Sequence, residues 1–175
     1  MKKARSSSPV GWKGQLRKEI LSAQKTVILG VGNISKGDDA AGVLCAQELK
    51  KRIGRRASSR LKILIGYETP ENTTGQIRKF RPEFVLILDA AQAGYKPGSV
   101  FIVGKSQIKD DDVSTHTISL ALLVSYLEES VGCKALILGV QPLNLGLGEN
   151  VSRSVKKSTE RLAAYIVRVF AAIKP

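Results

Sequence analysis

The chain has 175 residues, 43% of them hydrophobic, with 28 Lys and Arg against 15 Asp and Glu and a net charge of +13. That length and apolar content suit one globular domain able to bury its own core, which excludes a disulfide-stapled mini-protein and a wholly disordered chain. No apolar run approaches the roughly 20 residues needed to span a bilayer, and the start, Met1 to Pro9, lacks a secretory signal's apolar stretch. The expectation is a cytoplasmic protein, with a monomer as the default.

Residues 1–24 are read as a basic N-terminal extension, carrying Lys2, Lys3, Arg5, Lys13, Arg17 and Lys18 against Glu19 alone. Trp12, Leu16, Ile20 and Leu21 recur at helical spacing, so a short amphipathic helix follows the basic tip. Thr26–Gly30 is the first apolar strand, and Ala41, Leu44, Cys45, Leu49 and Ile53 mark a helix that stops at Gly54. Leu61–Ile65 is a second strand, Thr73–Phe80 a weaker helix, Phe84–Asp89 a third strand and Val100–Val103 a fourth. Thr117–Val131 reads as a helix, Ala135–Val140 as a fifth strand, and Val155, Thr159, Leu162, Ile166, Val169 and Ile173 as the buried stripe of a long closing helix.

Apolar strands alternating with helices predict a three-layer α/β/α domain over residues 25–175, with a mostly parallel five-stranded sheet and an antiparallel edge strand. The third and fourth strands are joined by too short a segment for a helical crossover, and are expected to form the antiparallel edge pair.

Function is constrained first by what is scarce. Cys45 and Cys133 are isolated thiols in apolar company, read as reduced and buried. The single histidine, His116, excludes an intrachain zinc site built on two or more imidazoles. There is no Gly-x-Ser-x-Gly nucleophile elbow, and the glycines of the loop Gly30–Asp39 match neither a P-loop nor a dinucleotide fingerprint.

Ligands of an open α/β sheet bind outside the carboxyl ends of its strands, which directs attention to Asp38, Asp39 and Asp89. One of the adjacent acids Asp38 and Asp39 is expected to cap the following helix and the other to face the cleft; the residues alone do not say which. Asp89, at the tip of a buried strand, could accept loop amides or serve as an acid or metal ligand. His116 could equally be a cap or a surface residue. Taken together, two carboxylates and one imidazole form an O,O,N set with coordination positions left open, and two close carboxylates could also act as an acid/base pair without metal.

Gly30-Val31-Gly32-Asn33 with Gly37-Asp38-Asp39-Ala40-Ala41-Gly42 resembles the opening signature of the hydrogenase maturation endopeptidases. Thr69-Pro70-Glu71-Asn72, Leu88-Asp89-Ala90, Thr115-His116 and Leu138-Gly139-Val140-Gln141-Pro142 agree in order and spacing, and look most like the formate hydrogenlyase-type branch. The resemblance runs from about Lys25 through the closing helix.

It implies an endopeptidase that removes the C-terminal extension of a nickel-iron hydrogenase large-subunit precursor after nickel insertion. Carried over by motif, Asp39, Asp89 and His116 would bind metal and carry catalysis, leaving Asp38 as the helix cap. Gly32, Asn33, Asp38, Glu68 and Thr69 would line the substrate side, although Tyr67 and Glu68 interrupt the family's glycine pattern there. The nickel would be supplied by the precursor, with no organic cofactor. Two other readings are a family member that binds the precursor without cutting it, and a nucleic-acid module using the basic stretches around residues 1–24 and 50–62. The latter is disfavoured, since those stretches lack interleaved aromatics and give no reason to gather acids in a cleft.

Overall fold

The computed structural model describes residues 11–54, 59–104 and 117–173, the side chains of 117–119 excepted. The basic tip of the extension, Arg55, Arg56 and Thr115 lie outside the described residues. In chain order the elements are α1 (Trp12–Ser22), β1 (Thr26–Val31), α2 (Ala41–Ile53), β2 (Leu61–Tyr67), α3 (Thr74–Phe80), β3 (Phe84–Ala90), β4 (Val100–Val103), α4 (Thr117–Tyr126), β5 (Lys134–Val140) and α5 (Arg153–Ala171). Single 3-10 turns, Gly37–Ala40 and Pro70–Thr73, lead into α2 and α3.

The five strands form one sheet in the order β2-β1-β3-β5-β4, all parallel except β4, which runs antiparallel to β5. β1 and β3 are buried along their whole lengths, as strands covered on both faces must be. Val27, Leu29, Val85 and Ile87 pack on one face with Ile77 of α3 and Leu120 and Leu123 of α4. Ile28, Leu86, Leu88 and Leu138 pack on the other with Leu16 and Ile20 of α1, Leu49 of α2, and Leu162 and Ile166 of α5. Odd and even positions of the same strand thus serve opposite layers, the period of two built into an extended backbone.

The sequence places an antiparallel edge correctly but gives β4 the wrong partner. Both sides of β3 are occupied, by β1 and β5, so β4 pairs with β5 instead. The segment between β3 and β4 crosses the carboxyl end of β5, where Gly98 N donates to Gln141 O (2.8 Å) and Gln141 N donates to Ser99 O (2.9 Å).

α2 comes unusually close to the sheet. A Cβ on Gly42 would run into the carbonyl oxygens of Leu88 and Val31, and one on Gly30 into Gly42 and Ala46. Only glycine lets this helix start directly over the ends of β1 and β3. The turn carrying Asp38 and Asp39 is thereby pressed against those strand ends.

Among the described residues, no helix is long and apolar enough to cross a membrane. Lys50, Lys51 and Arg52 occupy the last turn of α2, where cations interact favourably with the helix dipole, and Arg52 also pairs with Glu48 at 2.8 Å.

Candidate active site

From β1 the chain runs through α2 to β2 on one side, while β3 lies on the other side of β1. The carboxyl ends of β1 and β3 therefore flank the sheet's topological switch point, where the diverging connections leave a crevice. Gly30 is opposite Leu88 in the register, so Asp89 continues β3 at the level where β1 ends in Val31. Asp39 reaches the same edge from the turn after β1. Its Oδ2 accepts a hydrogen bond from Asn33 N at 2.9 Å. Both carboxylates are buried, Asp39 2% exposed and Asp89 0%. Such burial is costly for a charged group and marks both positions as special.

Asn33 organises the loop above β1. Its Oδ1 accepts from Ser35 N (2.7 Å), and its Nδ2 donates to Glu68 Oε1 (2.7 Å) in the loop after β2. Gly32, at φ 133°, turns the chain sharply, and its N–H donates to Tyr67 O at 3.0 Å. Gly32, Asn33 and Glu68 are thus brought together on one rim. Thr69 continues that rim, its Oγ1 accepting from Asn72 Nδ2 at 3.1 Å. Thr69 makes no side-chain cap to the backbone of the 3-10 turn it precedes.

Asp38 does not cap its own helix, contrary to the expectation from sequence. α2 has Ala40 at its N-cap with no side-chain cap bond. The Asp38 carboxylate turns instead to a distant segment: Oδ2 accepts from Leu143 N (2.7 Å), Asn144 N (3.3 Å) and Ser152 Oγ (2.9 Å), and Oδ1 from Ser152 N (2.6 Å). Its backbone N–H adds a bond to Asn144 O at 3.1 Å. Ser152 is the N-cap of α5, so the acid sits where that helix presents unpaired amides and the positive end of its dipole. With both oxygens engaged inside the protein, Asp38 fixes the wall of the crevice.

The sequence pattern alone assigns Gln141 no role of its own. Its Oε1 accepts from Ala93 N (2.8 Å) and Tyr95 N (3.2 Å), holding the loop after β3 beside Asp89. The available signal was a polar residue followed by proline at the tip of an apolar strand, a pattern that stops a strand and leaves its last side chain to bond a loop.

His116 lies outside the described residues. Among the described residues no three His, Cys, Asp or Glu side chains come together in a group able to hold a metal ion. The thiols are buried as expected. Burial pushes Cys45 far above the ordinary thiol range, with Glu48 adding to the effect. Cys133 is raised to about 11, again mainly by burial, and precedes β5 at the end of the sheet away from the crevice. Neither is a nucleophile at neutral pH. Among the described residues, what stands out for chemistry is a pair of buried carboxylates, Asp89 near the end of β3 and Asp39 in the turn after β1, suited to acid/base work or to oxygen ligation of a cation.

A family model described as hydrogenase maturation protease matches residues 43–169. The chain is 32% identical to the hydrogenase 3 maturation protease of Escherichia coli strain K12 over 135 residues, 77% of this chain and 83% of that protein. The crystal structure of a nickel-iron hydrogenase maturation protease, HycI from Thermococcus kodakarensis KOD1, superposes with a TM-score of 0.81 at 34% identity, covering 90% of this chain and 99% of that one. The hydrogenase maturating endopeptidase HybD from E. coli shares the fold at 22% identity, with a TM-score of 0.68 over 84% of this chain and 92% of that one. The matched model spans the greater part of the chain, including Asp89 and both strands beyond it, and the chain belongs to the hydrogenase maturation protease family.

Proposed function

We propose that this protein is the endopeptidase that removes the C-terminal extension of a nickel-iron hydrogenase large-subunit precursor once nickel has been inserted. The observation that carries the reading is the pair Asp39 and Asp89, both buried yet both delivered to the carboxyl edge at the β1/β3 switch point. A cytoplasmic site of action belongs to the same proposal.

Nickel enters as part of the substrate. Carboxylate oxygens with one imidazole nitrogen form a donor set suited to a borderline divalent ion, and Asp39 and Asp89 supply the oxygens. His116, carried over by motif, is assigned the nitrogen. Three protein ligands leave positions for the precursor's own, so the ion registers the scissile peptide in the crevice. When bound, the nickel would supply Lewis-acid polarisation of the peptide carbonyl or of the attacking water; a carboxylate would accept the water's proton and return it to the departing amine as the C–N bond breaks. An aspartic-type variant, with Asp39 or Asp89 acting directly on the water, uses the same two side chains. Asn33 and Asp38 position rather than react: Asn33 N holds Asp39 Oδ2, and Asp38 holds the opposing wall.

The test incubates the protein with precursor carrying or lacking nickel and reads the C-terminal mass. Cleavage of the nickel-loaded form alone, slowed by at least about 100-fold in Asp39→Asn, Asp89→Asn and His116→Ala, is the expected result. Equal cleavage of both precursor forms would remove nickel from recognition, and no cleavage by the unsubstituted protein would sink the peptidase reading.

A further inference from the structure

Large hydrophobic side chains exposed among the described residues are few, and they are not scattered. Ile34 (57% exposed), Leu143 (64%) and Leu147 (77%) lie on the loops that leave the carboxyl ends of β1 and β5, and Tyr67 (46%) is the last residue of β2; only Leu21 and Leu122 lie elsewhere. These segments are bonded into one rim. Gly32 N donates to Tyr67 O, Asn33 Nδ2 to Glu68 Oε1, Gly148 N to Ser35 O (2.8 Å) and Asp38 N to Asn144 O. The Asp38 carboxylate adds its bonds to Leu143 N, Asn144 N and Ser152. These apolar side chains are therefore held out to solvent on anchored backbone, where association costs less ordering entropy.

We propose that Ile34, Tyr67, Leu143 and Leu147 form an apolar collar that docks an apolar segment of the hydrogenase precursor, next to the peptide presented to Asp39 and Asp89. The inference rests on the peptidase reading above and deepens it by naming the surface that grips the substrate. An exposed apolar cluster on one edge of a chain this rich in charge marks an interaction surface. Its location selects the occupant. A second copy seated on this rim would cover the crevice it surrounds, whereas a substrate has to cross the rim to reach the two buried carboxylates. Two polar side chains of the same rim, Asn33 and Glu68, are bonded to each other, while the four apolar ones stand exposed beside them.

The experiment measures Kd and KM for nickel-loaded precursor with the triple variant Ile34→Ser, Leu143→Ser, Leu147→Ser. Leu147→Ser alone serves as a milder version, and Leu122→Ser, an equally exposed leucine on α4, as the control. Tyr67 is left in place because its backbone is already in the left-handed region (φ 50°). A rise of about 100-fold in Kd and KM for the triple variant is expected, with kcat at saturating precursor and the melting temperature unchanged and Leu122→Ser at the parent values. Unchanged Kd in the triple variant, or an equal loss in Leu122→Ser, overturns the collar. Gel filtration covers the other occupant: a parent protein that runs as a dimer and a triple variant that runs as a monomer would assign the surface to self-association. A parent protein that binds the precursor without cutting it would sink the peptidase reading alone, since the Kd ratio still tests the collar.

Discussion

At the amino ends of the strands the core is closed by Leu16, Ile20, Phe84 and Cys133, whereas at the carboxyl ends the buried positions include Asp38, Asp39, Asp89 and Gln141. Charge is present at the amino edge too, but less deeply buried: Lys134 meets Glu19 at 2.6 Å, and Glu83 Oε2 accepts from Gln24 N at 2.7 Å. Thr26 is buried at the amino edge as well, so the difference lies in where the molecule buries carboxylates. Desolvating a carboxylate costs several kcal/mol unless hydrogen bonds offset it. For Asp39 and Asp38 the carboxyl edge supplies those bonds from backbone amides at loop starts and at the N-cap of α5. One end of the sheet thus holds the strands together, and the other holds acids in place.

The separation can be broken most forcefully at the amino edge. Phe84 is 1% exposed at the start of β3, and Phe84→Ala should cost about 3–5 kcal/mol of stability by transfer and cavity terms. Chemical denaturation measures the loss. If the two edges are independent, kcat of the still-folded variant stays at the parent value; a fall in kcat under conditions where the variant is folded would show that the core at Phe84 also sets the crevice geometry. Asp38→Ala is the corresponding strike at the carboxyl edge. It removes the acceptor for Leu143 N, Asn144 N, Ser152 N and Ser152 Oγ, with an expected cost of about 1–3 kcal/mol and faster amide exchange confined to residues 142–152. Asp38→Asn keeps one acceptor oxygen and should lose less. Exchange rising evenly over the whole sheet would mean that Asp38 supports the fold at large.

The sequence reveals much of this arrangement because strands buried on both faces are continuous apolar runs, and Asp89 stands at the end of such a run. The rule that parallel strands present ligands at their carboxyl ends then puts Asp39 and Asp89 on one edge without coordinates. Pairing is harder to read. The partner of β4 depends on which strands already flank β3, information held in the whole sheet order rather than in residues 84–103. The role of Asp38 is hidden for the same reason. Its partners lie more than 100 positions away, at Leu143, Asn144 and Ser152, while the local pattern of an acid before a helix has an ordinary explanation as a cap. Local chemistry reads well from sequence; a side chain whose partners are brought to it by the fold does not.

The smallest expected effect sharpens the comparison from the amino edge. Lys134 Nζ bonds Glu19 Oε1 at 2.6 Å, tying α1 to the first residue of β5, with the lysine side chain 55% exposed and the glutamate 13%. Solvent around the lysine screens the pair, and fixing a long flexible side chain offsets part of the attraction, so a coupling of about 0.5 kcal/mol is expected from a double-mutant cycle of Lys134→Met and Glu19→Gln. Raising the salt concentration should shrink it further. The cleavage rate should not change in either variant, because the pair lies at the end of the sheet away from Asp39 and Asp89. A coupling several times larger would mean that the half-buried glutamate depends on its partner much as a carboxyl-edge acid depends on its amides. The contrast between the two edges would then lie only in the kind of donor, a side-chain cation at one end and backbone N–H groups at the other.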